Sequence, residues 1–584
     1  ACTRPGSGTA ADPGPTTSAA GPGLTPAPVS MAMHVHASFS EGVASMDTHL
    51  DQARRTGVDV VWWTEHDFRQ QAHGYRSAVG FDGMVEPENG LDWTWAATRS
   101  GAVEAAEGTF VTDPHSPDEP GKALRLTARG PSRSWGRLQY EGNAYNSTYS
   151  TSIAGTTLEL DVLTESVGPD AELLVEVLSS YRPATASRPA GAYTLQYRVG
   201  AQQGRTTENG GLLGVVASRA QPGWQRLTLR LTDDVAALWP DLVAADAALY
   251  RLQLAVRARR GATATAVVDR LRFVRTGRDG QQSLALQADL IQQYAARYPE
   301  LQQYQGSELS LVRHVNRFGG TAFLPDYGDA PPRKDTSLKA ASAMVDQIHA
   351  HGGLASHNHP LDDAYPAPGA LGAMIVDTGN LGADLLEVGF AGDVEAVTQA
   401  YDIAARNGIF ITATGTTDDH SGQDWLGRTP RWVTHAWAAS AQAPDLVAAL
   451  AAGQGWFADP AGYRGAMQIE LAGRPAMGGV LVTRDSRVPL TVSADELPAD
   501  STVDLVTGEV DFAGSGTPVP AISTVTIPSR NVGQGRVELD FQPGAGRYLR
   551  AVVRDGAGTV VGFSNPVWVL PEAPATDVPA QRRL

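Results

Sequence analysis

The chain of 584 residues exceeds one ordinary domain, and a typical size of about 150 residues per domain predicts three or four domains. Its apolar fraction of 42% is ample for buried cores, while its formal net charge of −17 argues against a nucleic-acid partner, because binding to the phosphate backbone needs a basic surface. No run of about 18 apolar residues is present, so the sequence predicts no membrane-spanning helix.

The first 30 residues are predicted to form a disordered tether, because they are rich in Pro, Gly, Ala, Ser and Thr and contain almost no hydrophobic anchor. The single cysteine of the chain, Cys2, follows Ala1 at the head of this tether. An Ala-Cys pair in such a position resembles the cleavage point of a bacterial lipoprotein. It implies an exported protein, extracellular or at the cell surface, with a lipid anchor on Cys2; the alternative is that the sequence begins there by accident.

Folded sequence is predicted to begin near Met31 with a β–α–β unit. The segment "MAMHVHASF" is predicted as a strand, "VASMDTHLDQARRTG" as an amphipathic helix ended by glycine, and "VDVVWWTEHD" as a second strand. The second strand is apolar throughout, which is typical of a parallel sheet buried on both faces. Trp62 and Trp63 are therefore predicted to be core residues on the two faces of the sheet.

From about residue 89 the pattern changes to short alternating segments separated by turn residues, such as "KALRLTARG" and "TTLELDVLTES". This pattern predicts an inserted β-sandwich or jelly roll over residues 89–276. Alternating helices and strands are predicted on either side, so that residues 31–88 and 277–457 form one α/β domain. Residues 458–584 return to strands and turns and predict a C-terminal β-sandwich.

Histidine and carboxylate side chains recur at the carboxyl ends of the predicted strands, where functional groups collect in parallel α/β folds. They are His34, His36, Glu41, Glu65, His66, Asp67, Glu308, His314, His357, His359, Asp418, Asp419 and His420. Imidazoles suit Zn, Mn and Fe, and carboxylates add negative charge and can bridge two cations. The succession of clusters favours a metal site over a set of solvated surface histidines.

The order of these motifs resembles that of the polymerase and histidinol phosphatase (PHP) family of metal-dependent phosphoesterases. The matching segments are His34-Val35-His36, Ser40-Glu41-Gly42, Thr64-Glu65-His66-Asp67, Gly306-Ser307-Glu308 with His314, Asn358-His359-Pro360 and Asp418-Asp419-His420. The resemblance covers residues 31–88 and about 277–455, and it implies a distorted seven-stranded β/α barrel. Glu41 and Glu65 stand where the family commonly has aspartate.

The resemblance also implies a trinuclear site holding about three divalent metals, Zn, Mn or Fe, in which a metal-bridging hydroxide cleaves phosphate mono- or diesters. The expected ligands are His34, His36 and Asp418 for one metal, His314 and His359 for a second that shares Glu308 with the first, and Glu41, His66 and His420 for a third. His357, Asp67 and Asp419 are weaker catalytic candidates, as hydrogen-bond partners of the ligands or in proton transfer.

Further residues are candidates for contact with substrate, which we expect to be a small-molecule or glycan-linked phosphoester. Arg313, Arg333 and Lys334 could hold its phosphate, and Trp425 could form a wall of the site. The remaining histidines are interpreted as structural or surface residues: His49, His73, His115, His349, His351 and His435.

Two alternative functions stay open. Exported PHP-like proteins with a C-terminal β extension resemble a carbaryl-hydrolase-like branch, which implies cleavage of esters or carbamates. The second alternative is a non-catalytic surface protein that binds glycans through aromatic rings of the insert, for which the candidates are Trp135, Tyr140, Tyr145 and Tyr149.

The insert is expected to leave the barrel and to re-enter it at one place. Replacement of residues 92–276 by a short linker is therefore expected to leave a metal-binding barrel.

Overall fold

The computed structural model describes most of the chain from residue 25 onward. The described residues are 25–40, 42–68, 70, 95–111, 123–143, 153–275, 280–325, 334–363, 367–392, 394–426, 431–512, 522–533, 535–574 and 577–584. Several residues singled out above lie outside them: Cys2, Glu41, His73, His115, Tyr145, Tyr149 and Arg333. Among the helices of the described residues, none combines the length and the apolar character that a bilayer crossing requires.

The described residues form a mostly β-sheet structure with few helices. The first elements are β1 (Ala27–Val35), α1 (Met46–Thr56) and β2 (Val60–Trp63). The insert contributes β3 (Trp95–Ser100), β4 (Glu104–Val111), β5 (Ala123–Gly130), β6 (Gly136–Asn143), β7 (Thr156–Ser166), β8 (Ala171–Arg182), β9 (Gly191–Gly200), β10 (Gly204–Glu208), β11 (Leu213–Arg219), β12 (Trp224–Arg230), α2 (Leu231–Leu238), β13 (Leu249–Ala258) and β14 (Ala262–Arg275).

The remaining elements follow the insert. Up to residue 458 they are α3 (Gly280–Arg297), β15 (Gln302–Gln305), β16 (Ser307–Leu309), β17 (Val315–Gly319), α4 (Leu338–Ala350), β18 (Gly353–His357), α5 (Pro360–Asp363), α6 (Pro368–Thr378), β19 (Leu385–Phe390), α7 (Val394–Arg406), β20 (Thr412–Thr416), β21 (Val433–Ala438), α8 (Ala443–Ala451) and β22 (Gly455–Ala458). The C-terminal elements are β23 (Met467–Leu471), β24 (Arg474–Pro475), β25 (Val480–Val482), β26 (Val488–Ala494), β27 (Thr502–Glu509), β28 (Ser523–Pro528), β29 (Arg536–Phe541), β30 (Arg547–Arg554), β31 (Val560–Ser564) and β32 (Val567–Leu570).

The predicted β–α–β unit is confirmed. β1 and β2 pair in parallel, and α1 between them begins with Ser45 as its N-cap and ends at Gly57 in the left-handed conformation. Trp62 and Trp63 are buried in two different apolar clusters on opposite faces of the sheet, as predicted. β1 begins at Ala27, earlier than predicted, because residues 27–30 pair with β21.

Two sheets carry the predicted site residues. One runs β15-β2-β1-β21-β22 and continues into C-terminal strands, and the other runs β16-β17-β18-β19-β20. Isolated bridges join them at two points, between His66 and Glu308 and between Val35 and Asp419. The strand ends that bear the motifs therefore face a common space.

The insert consists of two sheets with a common apolar core. Their strand orders are β10-β11-β9-β8-β13-β6-β3 and β12-β7-β14-β5-β4. Alternate residues of β7, such as Leu158, Leu160 and Val162, are buried between the sheets, as the alternating pattern predicts. The expected start of the insert, after residue 88, lies outside the described residues.

The C-terminal strands form two packed sheets, and one of them continues the sheet that contains β1 and β2. β22 pairs with β31, with Trp456 opposite Ser564, so the sheet that contains β1 and β2 continues through β31, β30, β27 and β28. A second sheet, β24-β23-β26-β29, packs on this continuation through a shared apolar core. The sequence could not show this, because it does not specify which strand β22 pairs with; the expected boundary after residue 457 falls inside β22.

Candidate metal centre

Eight of the nine expected metal ligands meet in one cluster, and the ninth, Glu41, lies outside the described residues. Their ligand atoms form four groups, each with all its atoms within 4.8 Å of one another. The groups are His34–His36–Asp418, His34–Glu308–His359, His66–Glu308–His314 and His36–His66–His420. The first group coincides with an expected ligand set, and the rings of His66 and His420, expected together with Glu41, lie beside His36.

Glu308 lies at the centre of the cluster and is fully buried. Its two carboxylate oxygens contact ring nitrogens of five histidines: His66 (2.7 Å), His314 (3.0 Å), His34 (3.4 Å), His36 (3.4 Å) and His359 (3.4 Å). Each oxygen faces a different subset of the rings. A carboxylate in this position has the arrangement needed to bridge two cations.

Asp418 provides the second carboxylate of the cluster. Its Oδ1 atom lies 3.0 Å from Nε2 of His36 and 3.3 Å from Nε2 of His34, and 3.8 Å from Nδ1 of His420. The side chains of Asp418 and His420 are 24% and 27% exposed, whereas His34 and His36 are fully buried. The cluster is therefore open to solvent on the side of Asp418 and His420.

Three of these residues have the left-handed backbone conformation that L-residues rarely adopt. The φ angle is 50° at His314, 23° at His359 and 48° at Asp418. Such a conformation costs on the order of 1–3 kcal/mol per residue and tends to occur at functional sites. Each of the three directs its side chain into the cluster from a turn that the sheets hold in place.

The electrostatic environment separates the protonation states of the histidines. Burial lowers the pKa of His36 to about 3, and the neighbouring His420 and His66 add to this effect. Burial also lowers the pKa of His359, but the hydrogen bond and the charge of Glu308 outweigh it and raise the value to about 9. The Glu308 carboxyl has a pKa well below its usual range, because the surrounding histidines outweigh the effect of burial.

Glu387 is a buried partner of the cluster that the sequence motifs do not identify. Its Oε1 atom lies 2.7 Å from Nδ1 of His34, and its Oε2 atom accepts a 2.8 Å hydrogen bond from the backbone N–H of His359. It therefore fixes one ligand by its ring and another by its backbone. The available signal was a single charged residue within the apolar strand "LLEVGF".

Other polar side chains support Glu308 itself. Nδ2 of Asn358 donates to Oε1 of Glu308 at 3.1 Å, and the hydroxyl of Ser310 donates to Oε2 at 3.2 Å. The predicted catalytic candidate Asp67 is fully buried and accepts a 3.1 Å hydrogen bond from the backbone N–H of Ser310. Asp67 thus positions the segment that follows Glu308.

Glu65 belongs to none of the four groups. Its carboxylate accepts hydrogen bonds from the backbone N–H of Ala37 at 3.0 Å and from the hydroxyl of Ser40. The adjacent His66 faces the cluster, because neighbouring residues of an extended segment point in opposite directions. Glu65 therefore holds the loop that follows His36.

Asp419 organises the loop after β20. It accepts hydrogen bonds from the N–H of Gly422 at 2.8 Å, Nε1 of Trp425 at 3.0 Å and a guanidinium nitrogen of Arg431 at 3.1 Å. Trp425 is only 3% exposed and packs in an apolar cluster, so the prediction that it forms a substrate wall is wrong. The indole is held inside by its hydrogen bond to Asp419.

His357 points away from the cluster. It neighbours Val315 and Leu386 across the sheet, both of which belong to the apolar core outside it, and its Nδ1 atom is 3.3 Å from Oδ1 of Asn380. This position favours a structural histidine over the proton-transfer role. His49, interpreted as structural, is fully buried behind the site, where its Nε2 atom donates to the carbonyl oxygen of His36 at 3.0 Å.

The remaining candidates lie at the periphery. Lys334 is exposed and Arg313 is half-buried. His349 contacts Asp384 at 2.8 Å, and the rings of His351 and His435 stack on Phe323 and Trp456. These three histidines therefore have structural contacts of the kind that the sequence interpretation gives them.

The donor set of the cluster fits divalent transition metals. Buried imidazoles combined with two carboxylates are the usual ligands of Zn, Mn and Fe. Nδ1 of His359 is buried without a hydrogen-bond partner in the described residues, and the opposite ring nitrogen faces Glu308. The histidines whose pKa is raised would exchange a proton for a metal on binding.

No protein-family model matches the chain, and no curated protein matches it significantly. Among solved structures it is similar to a two-domain protein from Bacteroides vulgatus that contains a predicted PHP-like metal-dependent phosphoesterase, with 16% identity over 50% of this chain and 81% of that chain and a TM-score of 0.25. A family 11 carbohydrate-binding module from Clostridium thermocellum, in complex with a mixed-linked tetrasaccharide, has 10% identity over 34% of this chain and 96% of that chain, with a TM-score of 0.20.

A family 30 carbohydrate-binding module of a cellulosomal cellulase from Clostridium thermocellum has 12% identity over 35% of this chain and 98% of that chain, with a TM-score of 0.21. Within the insert itself, the guanidinium groups of Arg257 and Arg259 lie 4.3 Å from the ring centre of Trp135. The hydroxyl of Tyr140 donates to the carbonyl oxygen of Gly108 at 2.9 Å. Of the four predicted sugar-stacking rings, the two that lie in the described residues, Trp135 and Tyr140, thus contact other groups of the insert.

Proposed function

We propose that the protein is a metal-dependent hydrolase that cleaves phosphate mono- or diesters at a trinuclear divalent-metal site. The observation that carries this proposal is the position of Glu308, a buried carboxylate that faces five imidazoles. The order of the motifs along the chain, which resembles that of the PHP family, supports the same assignment. The described ligands would be His34, His36, His66, Glu308, His314, His359, Asp418 and His420, and Glu41 would complete them.

The proposal includes a seven-stranded barrel composed of β1, β2 and β16 to β20. The support for it is that the bridges His66–Glu308 and Val35–Asp419 connect the two sheets at both sides. Such an arrangement directs the carboxyl ends of its parallel strands toward one face, where loops carry catalytic groups. It would explain why ligands distant in sequence meet at Glu308.

The chain's own residues would bind the metal ions and orient the ligands that hold them. Divalent ions, when bound, polarise a phosphoryl oxygen and lower the pKa of water, so that hydroxide is available near neutral pH. Glu387 holds the ring of His34 so that Nε2 faces the site, and Asn358 and Ser310 hold Glu308. The open side at Asp418 and His420 would admit the substrate.

A second candidate reaction is hydrolysis of aryl esters or carbamates. The observation that favours it is a pair of half-buried phenylalanine rings beside the ligands. The ring of Phe390 lies 5.3 Å from that of His359, and the ring of Phe68 stacks on that of His66 at 5.7 Å. Rings in these positions would suit a flat apolar leaving group.

The test is a metal analysis joined to a substrate panel. The full chain, purified without chelators, is expected to contain divalent transition metal and to hydrolyse aryl phosphates or bis-aryl phosphates faster than aryl esters. Chelation should abolish turnover and metal addition should restore it. A protein that binds no transition metal would refute the proposal, and a metal-loaded protein active only on esters would establish the second candidate.

A further inference from the structure

The insert contributes a buried carboxylate, Asp246, to the base of the metal-binding region. Asp246 lies in a short 3₁₀ turn before β13 and is fully buried. Its oxygens accept hydrogen bonds from five residues, of which three belong to the segment that follows β1. The donors are the Ser38 hydroxyl (2.6 Å), the N–H groups of Met46 (2.8 Å) and Asp47 (3.1 Å), the Tyr294 hydroxyl (2.6 Å) and the Arg182 guanidinium (3.4 Å).

These hydrogen bonds fix the start of α1. The N–H groups of Met46 and Asp47 belong to the first turn of α1, where intrahelical acceptors are missing and negative charge is favourable. The same helix carries His49, which donates to the carbonyl oxygen of His36. Asp246 is thus connected to His36 by two routes. One runs through α1 and His49, and the other runs through Ser38, which lies two residues after His36 in the chain.

A second connection runs through the backbone of Tyr181, at the end of β8 in the insert. Its N–H donates to the carbonyl oxygen of Val43 at 2.7 Å, and its carbonyl oxygen accepts from Ser45 at 3.1 Å. The N–H groups of Val43 and Ala44 in turn donate to the carbonyl oxygen of His420 at 2.9 and 3.2 Å. The insert is therefore connected to a second ligand, His420, by two successive sets of backbone hydrogen bonds.

The two connections converge on one of the four ligand groups. His36 and His420 occur together in the group His36–His66–His420, and His36 belongs also to His34–His36–Asp418. Glu308, His314 and His359 are held by β16, Asn358 and Glu387. Arg182, which neighbours Tyr181, also donates to the backbone carbonyl of Asp246, so the insert holds its own carboxylate in place. The insert is thus connected twice, through His36 and through His420, to the position at His36, His66 and His420.

We propose that Asp246 is a positioning residue for the metal ion at His36, His66 and His420, supplied to the site by the insert. This inference rests on the proposed metal-dependent function. It limits the expectation that a barrel without residues 92–276 still binds metal, because one metal position would lose a positioning residue. Removal of the insert would leave the first turn of α1 without its acceptor and release the segment between His36 and α1.

The test compares Asp246→Asn with Asp234→Asn in the full chain. Asn places an N–H group opposite donors that all point at the carboxylate, so it disturbs the α1 contacts without changing the volume. Asp234 is a matched control, because it is also buried in the insert and accepts from Tyr197 and Arg205, yet its described contacts stay within the insert. Metal content, chelator competition and thermal unfolding with and without metal are measured for both variants.

Asp246→Asn is expected to lose about one ion per chain, or to bind it roughly 10- to 100-fold more weakly, as in other losses of outer hydrogen bonds at metal sites. Asp234→Asn should keep the wild-type metal content. If Asp246→Asn melts lower but keeps every ion with wild-type affinity, the inference is overturned and Asp246 is only structural. If wild type itself binds no metal, it is the proposed function that fails.

If Asp246→Asn does not fold, Ser38→Ala provides a second test of whether Asp246 positions the metal ligands. This change removes one hydroxyl that donates to Asp246 and leaves the remaining four donors. It is expected to weaken binding of the same ion by a smaller factor than is expected for Asp246→Asn. Unchanged metal affinity in Ser38→Ala would overturn the inference.

Discussion

The carboxylate of Glu387 lies 2.7 Å from Nδ1 of His34, and both side chains are fully buried. This contact leaves Nε2 as the only ring atom that His34 can offer to a metal. Nε2 is the atom that lies beside Glu308 and Asp418. A strand without any recognised motif thus determines how the first ligand of the site is presented.

Glu387→Gln should therefore weaken metal binding by roughly 10- to 100-fold, because a neutral amide holds the proton on Nδ1 of His34 less firmly than a carboxylate does. Competition with a coloured chelator measures the change. Asp384→Asn removes a carboxylate from His349 outside the metal cluster and should leave metal affinity unchanged. Equal loss in the two variants would show that the effect is one of general stability.

Glu308→Gln should lose both metal and turnover, because the amide cannot bridge cations and leaves the surrounding histidines without their counter-charge. Glu65→Gln is the control, since its side chain accepts from Ala37 and Ser40 and belongs to no ligand group. It should retain metal. Elemental analysis and turnover on the active substrate are the measurements, and similar losses in both variants would contradict the bridging assignment.

Gly42→Ala should disturb the loop after His36. A Cβ atom at Gly42 would lie 2.4 Å from the backbone oxygens of both His36 and Ala37, so the backbone must move. Metal content and melting temperature are both expected to fall. Gly369→Ala is the matched control, because an added Cβ there meets nothing within 4 Å and alanine favours the helix. A stable, metal-loaded Gly42→Ala variant would mean that the loop can adapt.

The ion pair between His349 and Asp384 should give a measurable pH dependence. The hydrogen bond to Asp384 raises the pKa of His349, and burial opposes it only in part. Since the folded-state pKa lies above the unfolded value, the pair stabilises fully below the unfolded pKa, and its contribution disappears as the pH rises through the folded pKa. In an NMR titration Asp384→Asn should lower the pKa of His349; an unchanged value would refute the pairing.

Asp402→Asn should destabilise the junction between α7 and the C-terminal strands. Asp402 and Arg550 are both almost fully buried, with a 2.9 Å contact, and the Tyr548 hydroxyl donates to the same carboxylate. Breaking such a pair costs roughly 3–5 kcal/mol of the free energy of unfolding. Denaturant unfolding is the measurement. Asp540→Asn, in an exposed pair with Arg487, should cost about 1 kcal/mol or less.

The sequence was informative where the chemistry is local. His34 and His36 could be assigned to one face of a strand from their spacing, and α1 from its periodicity and its glycine stop. Glu387 and Asp246 could not be found in this way, because each acts on residues far away in the chain and carries no motif of its own. The partner of β22 was equally hidden, since strand pairing depends on tertiary packing that neither strand encodes alone.

The sheet that contains β1 also constrains how the chain reaches its folded state. β1 is made about 400 residues before β21, one of its two neighbours in the sheet, with Met31 opposite Thr434. The side chain of Asn565, directly after β31, accepts from the backbone N–H of Ala413 and donates to the carbonyl oxygens of Ala413 and Gly455. Native contacts so distant along the chain make folding slow and leave the apolar strand β1 partly uncovered until β21 has been made. The nascent protein should therefore depend on chaperones during the synthesis of the residues between them.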